Sequence, residues 1–173
     1  MAGQLVQVAT NTVTSAVANV SLVGINTDDV YMLAYSNVGT VTNGRNVCVR
    51  VTKSGSADTT ANYDYAYKVF NASSSFGSAG FTNENEWQYL FVDNVGTGTS
   101  ETASGIAYLY NFNSASEFSF ITAEMVEVNL TPHTRGNIGG GVHTVASASD
   151  GLHFFDDAGG DIASGTFTLY KVV

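Results

Sequence analysis

The chain has 173 residues, 44% hydrophobic and 12% charged, enough for one self-supporting core and too apolar for a disordered segment. Fifteen acidic residues against six basic ones give a formal charge of -9, which repels a polyanion and argues against a nucleic acid partner. No apolar run is long enough to cross a bilayer, and the opening MAGQLVQVAT lacks the basic and apolar regions of a secretion signal, so the expectation is synthesis in a cytoplasm and no membrane insertion.

Leu5 to Val8 form an exposed-looking apolar segment at the start of the chain. After turn formers at Asn26 to Asp29, Val30 to Val38 is apolar on both faces and reads as a central strand. In Arg45 to Lys53 the rhythm is two: Val47, Val49 and Val51 share one face, and Asn46, Arg50 and Thr52 the other, with Cys48 on the polar side. Tyr63-Asp64-Tyr65-Ala66-Tyr67 alternates likewise. Thr82 to Asn85 is composed to cap a single helical turn, and Trp87 to Val92 follows too closely as an apolar run for a whole helix to form.

Ile106 to Phe112 alternates, Phe118 to Ile121 is apolar on both faces and, like Val30 to Val38 and Trp87 to Val92, reads as a central strand covered on both sides or as a strand buried in an interface, and Thr166 to Tyr170 closes the chain in a period of two. Asn43-Gly44, Gly96 to Gly105, Gly139 to Gly141 and Gly159-Gly160 read as punctuation, and Pro132 marks a loop between late strands. The expectation is a single all-β domain over residues 1–173, an antiparallel β-sandwich of jelly-roll type with about ten strands and little or no helix. The one cysteine, Cys48, has no internal disulfide partner, so packing or neighbouring chains must supply stability.

Candidate chemistry is sparse. His133, His143 and His153 recur every ten residues, which is a strand-plus-turn spacing and not a metal-ligand motif. Asp156-Asp157-Ala-Gly-Gly-Asp161 gathers carboxylates in a turn, but without the alternating acids of a calcium loop it reads as a solvated hairpin end. No G-x-S-x-G, H-E-x-x-H or Cys-His motif occurs, and Glu84, Glu86, Glu101, Glu117, Glu124 and Glu127 carry no pattern of a paired acid and base. No enzyme activity, cofactor or metal is expected. The sequons at Asn19, Asn71 and Asn129 read as products of an Asn/Ser/Thr-rich composition. Nine Tyr, ten Phe and one Trp offer a different kind of site. Tyr63, Tyr65 and Tyr67, or Trp87 with Tyr89, form ladders that suit either cross-strand packing or a platform for sugar rings, and with Leu5 and Val6 they make the expected interaction surface.

Four segments, Thr12 to Ile25, Asp29 to Val38, Val49 to Tyr67 and Ile162 to Tyr170, give the chain a layout that resembles small virion structural proteins and tail-fibre domains of marine bacteriophages, cyanophage- and pelagiphage-like. The resemblance implies a non-enzymatic virion protein assembled in the bacterial cytoplasm, touching other virion proteins of capsid or tail. It further implies a homo-oligomer, with a trimer as the expected state. A capsid decoration, cement or knob protein is the first reading. A short tail fibre that recognises a host surface glycan is the alternative.

Overall fold

The computed structural model describes residues 3–73 and 76–173. Among them are thirteen strands and no helix: β1 (Leu5–Val13), β2 (Asn19–Val23), β3 (Tyr31–Thr40), β4 (Arg45–Lys53), β5 (Ser56–Ala57), β6 (Tyr63–Asn71), β7 (Gly77–Glu84), β8 (Trp87–Val95), β9 (Ala103–Tyr110), β10 (Ser119–Val128), β11 (Thr134–His143), β12 (Gly151–Asp156) and β13 (Ile162–Val172). They pair antiparallel throughout. An eight-stranded sheet runs β1-β13-β3-β9-β10-β11-β6-β7, and a five-stranded sheet runs β2-β12-β4, with β5 and β8 sharing the far side of β4. The chain crosses between the two sheets repeatedly, so alternate strands from each end of the sequence interleave in both layers.

The two-residue period does the work expected of it. In β4, Val47, Val49 and Val51 point into the core, as do Ile121, Ala123 and Met125 of β10 and Phe167 and Leu169 of β13. These meet Leu152 and Phe154 of β12, Tyr31, Leu33 and Tyr35 of β3, and the buried run Leu90-Phe91-Val92 of β8, which lies across β6, β10 and β11. Each fully buried side chain of this size contributes about 1.5–3 kcal/mol relative to exposure.

Three local expectations change. Strands outnumber the expected ten because turn-like composition hides some of them. Thr82 to Glu84 belong to β7, with Asn85 in the tight connection to β8, and no helical turn forms there. Gly139 to Gly141 is the middle of β11, not punctuation. The reason is close approach: a Cβ on Gly141 would lie 2.6 Å from Trp87 Nε1, and one on Gly139 would lie 2.9 Å from Leu90 Cδ2. Only a strand without side chains at these positions lets β8 settle onto the large sheet.

Candidate functional site

The smaller sheet covers one face of the larger and leaves the other in water. On that outer face the registers of β9, β10, β11 and β6 align side chains in rows. One row is Tyr108, Thr122, Gly140 and Ala66, continuing to Gly80 of β7, and the next is Ile106, Glu124, Ile138 and Lys68, continuing to Ser78. Phe70, Tyr108, Tyr110, Phe120, Val126 and Ile138 remain 36–52% exposed there. Between them lies an open groove of about 620 Å³, bounded by Ala34, Ile106, Val126, Ile138 and Phe70. Among the paired positions of this face the charged side chains are Glu124, Lys68 and Asp64. Its floor is flat because Gly140, Gly80 and Ala66 add little above the backbone, so a broad partner fits it better than a small polar ligand.

Of the two readings of Phe118 to Ile121, cover on both sides within the chain is ruled out, which leaves a strand whose outer face is free for an interface. Ile121 faces the core, while Phe118 and Phe120 stay exposed on the outside. Leu5 and Val6 are 47% and 44% exposed on β1, an edge strand without a single charge, paired only with Val172 and Lys171 of β13. Tyr63, Tyr65 and Trp87 correct the expected aromatic platform: all three are core residues, with Tyr63 and Trp87 fully buried. The Tyr63 ring meets Trp87 edge-on at 5.2 Å, and Tyr65 stacks on Phe81 at 5.0 Å. Tyr67 and Tyr89 are half-buried, 5.6 Å apart, and join Phe81 in a cluster at the side of the sandwich. The ladder's shared face was legible, but the face is the inner one.

The histidines are dispersed. His133 is exposed in the loop before β11, His143 is buried at the end of β11, and His153 sits on the outside of β12 with Nδ1 2.9 Å from Ser21 Oγ. Asp156 is spent within its own turn, where Oδ1 accepts the N–H groups of Ala158 and Gly160 at 2.9 and 3.2 Å. Asp157 accepts the side-chain amides of Asn46 and Gln88 at 2.8 and 3.0 Å. Among the described residues no three His, Cys, Asp or Glu side chains are placed to share a metal ion. Asn129, one of the sequons, is buried, and its Oδ1 accepts the N–H groups of Thr131 and His133, closing the β10–β11 loop around Pro132.

No family model matches the chain, and neither does a curated protein or a solved structure. Its functional reading therefore rests on its own side chains.

Two buried polar groups escaped motif reasoning. Asp93 and Glu127 are almost completely enclosed between β8 and β10. The Asp93 N–H donates to Glu127 Oε2 at 3.0 Å, and Asp93 Oδ2 receives the Arg135 guanidinium together with the Asn137 amide, the latter at 2.9 Å. Burial pushes both carboxyls upward, Glu127 to about 8. Asp93 holds the cationic and amide donors, so it is the member of the pair that ionises first. A signal for this cluster did exist. Glu127 falls on the same parity as Ile121, Ala123 and Met125, the inward positions of β10.

The second group joins Asp58, Lys53 and His143. Lys53 Nζ lies 2.8 Å and His143 Nε2 3.3 Å from Asp58 Oδ2. Burial and the Lys53 charge lower the His143 pKa, partly offset by Asp58. Ser119 stands opposite His143 in register, so the residue types of a hydrolytic triad are neighbours. The geometry of a triad is missing: Ser119 Oγ has no hydrogen-bond partner, and Ser119 and His143 are both fully buried.

Cys48 is the chain's one thiol. It lies on the outside of β4 opposite Phe155, whose ring carries the Arg50 guanidinium at 4.3 Å, and it is fully buried. Desolvation, reinforced by Glu86 and Asp157, drives its thiol pKa well up. Under native conditions near neutral pH, iodoacetamide should leave Cys48 unmodified, with full labelling after denaturation. Rapid native labelling, read by mass spectrometry, would contradict this burial.

Proposed function

We propose that this chain is a non-enzymatic structural protein of a bacteriophage particle, a sandwich of jelly-roll type that works by touching other protein surfaces. The carrying observation is the outer face of the eight-stranded sheet, where large apolar side chains stand in water on an otherwise low-charge molecule. Contiguous exposed apolar surface of this kind marks an interaction site. The jelly-roll reading draws support from strand order: β1-β13-β3-β9 in one layer faces β2-β12-β4-β8 in the other, an interleaving of eight strands in two packed sheets. The segments that resemble phage virion proteins cover the end of β1, β2, β3, the second half of β4 through the start of β6, and β13, which form much of that two-layer framework.

The first placement is on the capsid, as a decoration, cement or knob protein in contact with virion neighbours and with copies of itself. The uncharged edge strand β1, with Leu5 and Val6 exposed, is a second contact candidate. A tail-fibre placement, with a host surface glycan as ligand, is favoured by one feature. The half-buried rings of Tyr67, Phe81 and Tyr89 open to the side of the sandwich at 5.6 Å spacings and could accept a sugar face.

Quantitative mass spectrometry and antibody labelling of intact purified particles decide between them. Many copies distributed over the capsid are expected. A few copies confined to the tail would transfer the protein to the fibre reading, and absence from particles would overturn the virion role altogether.

A further inference from the structure

We propose that the outer face of the eight-stranded sheet is a two-fold interface between two copies of this chain, with β11 lying along the axis. The inference rests on the structural role proposed above and names the partner of its main surface. Its basis is an antisymmetry in the residues beside β11. Glu124 on β10 and Lys68 on β6 both pair in register with Ile138 of β11, so they flank it at about one inter-strand spacing, roughly 5 Å, on either side.

Rotation by 180° about the β11 direction turns one face onto another and exchanges the flanking strands. Glu124 of each copy then meets Lys68 of the other, twice per contact, as an isologous interface requires. The same rotation sets Val126 across from the partner's Phe70, both in register with Gly136, and because the Phe70 ring lies over Gly136 it also brings the two Phe70 rings together near the axis. It also sets Tyr108 over the partner's Gly80, a ring over a position with no side chain, because these are the outer members of the row through Gly140. Three successive rows are thus self-complementary in charge, apolar contact and shape. The fourth row sets Phe120 opposite the partner's Asp64, an apolar ring against a carboxylate, and is not complementary in this way.

The area is adequate as well. With aromatic side chains of about 150–250 Å² each, exposures of 36–52% over Phe70, Tyr108, Tyr110, Phe120, Val126 and Ile138 leave roughly 500 Å² of apolar surface. That is near the upper end of what a monomer exposes, and over half of the about 800 Å² that each partner of a stable complex contributes. A two-fold contact of this kind replaces the trimer implied by sequence resemblance as the expected elementary assembly.

The test is sedimentation velocity of the full chain at micromolar concentrations, with variants at exposed positions that leave the fold intact by circular dichroism. The wild-type protein is expected to dimerise, and Ile138→Asp to weaken association by about tenfold or more. Lys68→Glu and Glu124→Lys should each weaken it too, by placing like charges opposite one another. The double variant should restore it, and so should mixing the two single variants, which then form a heterodimer. A monomeric wild-type protein, a purely trimeric one, or a dimer indifferent to Ile138→Asp and to the charge reversals would overturn the proposal. None of those results touches the particle experiment, so the virion role stands or falls separately.

Discussion

Replacing Trp87 by alanine is expected to lower the stability of the protein by about 3–5 kcal/mol, the range for a large aromatic removed from a core that cannot close behind it. The Trp87 side chain is fully buried, edge-on to Tyr63 at 5.2 Å and 6.4 Å from Phe112. Its neighbours are fixed. The Tyr63 hydroxyl donates to the Asp58 carbonyl at 2.7 Å and accepts from the Val51 N–H at 3.2 Å, so this ring is tethered at its far end. Beneath the indole runs the glycine backbone of β11, which is held on both sides by β10 and β6 and has no side chain to swing into a void. The cavity therefore persists. Alanine at the half-buried Tyr67 should cost clearly less, because water replaces part of what is lost. Urea denaturation measures both. A loss under about 1 kcal/mol for Trp87→Ala would show that the ring is not enclosed. The expectation reverses the surface role that composition suggested for Trp87 and Tyr65: their removal should damage the fold before it affects any partner.

Between pH 6.5 and 8.5 the protein should lose about 2 kcal/mol of stability, and Glu127→Gln should abolish most of that loss. Glu127 has its folded pKa raised from 4.5 to about 8 by burial, with the Asp93 charge adding to the push and the Asp93 N–H and Arg135 opposing it. An acid raised in the folded state binds more protons folded than unfolded throughout the interval between its two pKa values. Stability accordingly falls as pH rises through that interval, and the fall ends above about 8. The buried histidine works in the other direction. His143 is lowered by burial, so its contribution rises with pH, but that rise is complete near its unfolded value of 6.5. Above 6.5 the Glu127 slope is left to act. Tyr35 also faces this cluster, and burial with the Glu127 charge lifts its hydroxyl far out of the range. The readout is the melting temperature at the two pH values, lower at pH 8.5 by roughly 4–8 °C in the wild-type protein and nearly level in the glutamine variant. A wild-type curve flat over this range would mean that the Glu127 carboxyl is solvated or already ionised.

Much of this molecule was readable as a string. The alternation in Arg45 to Lys53 placed Val47, Val49 and Val51 on the core side, and that is where they lie. Tyr63, Tyr65 and Tyr67 do share one face of β6. Where reading failed, two kinds of local signal misled. Glycine stood for a turn at Gly139 to Gly141, although the demand there was for room beneath Trp87 and Leu90, which come from a strand some fifty residues earlier in the chain. Acidic side chains were weighed by spacing along the chain, and so Asp93 was passed over. Glu127 and Arg135 are register partners across the β10–β11 hairpin, but Asp93 joins them from β8, more than thirty residues earlier in the chain.

The sequence by itself determined that the chain forms strands and which side chains of each strand share a face, because a period of two is a property of consecutive residues. It could not say which face is covered. Phe120 and Ile121 are adjacent and both apolar, yet one is exposed and the other packed in the core. The difference arises because eight strands in one layer meet five in the other, so that only one face of the larger sheet finds a cover within the chain. Strand pairing between distant segments sets that imbalance, and with it the surface left for another molecule.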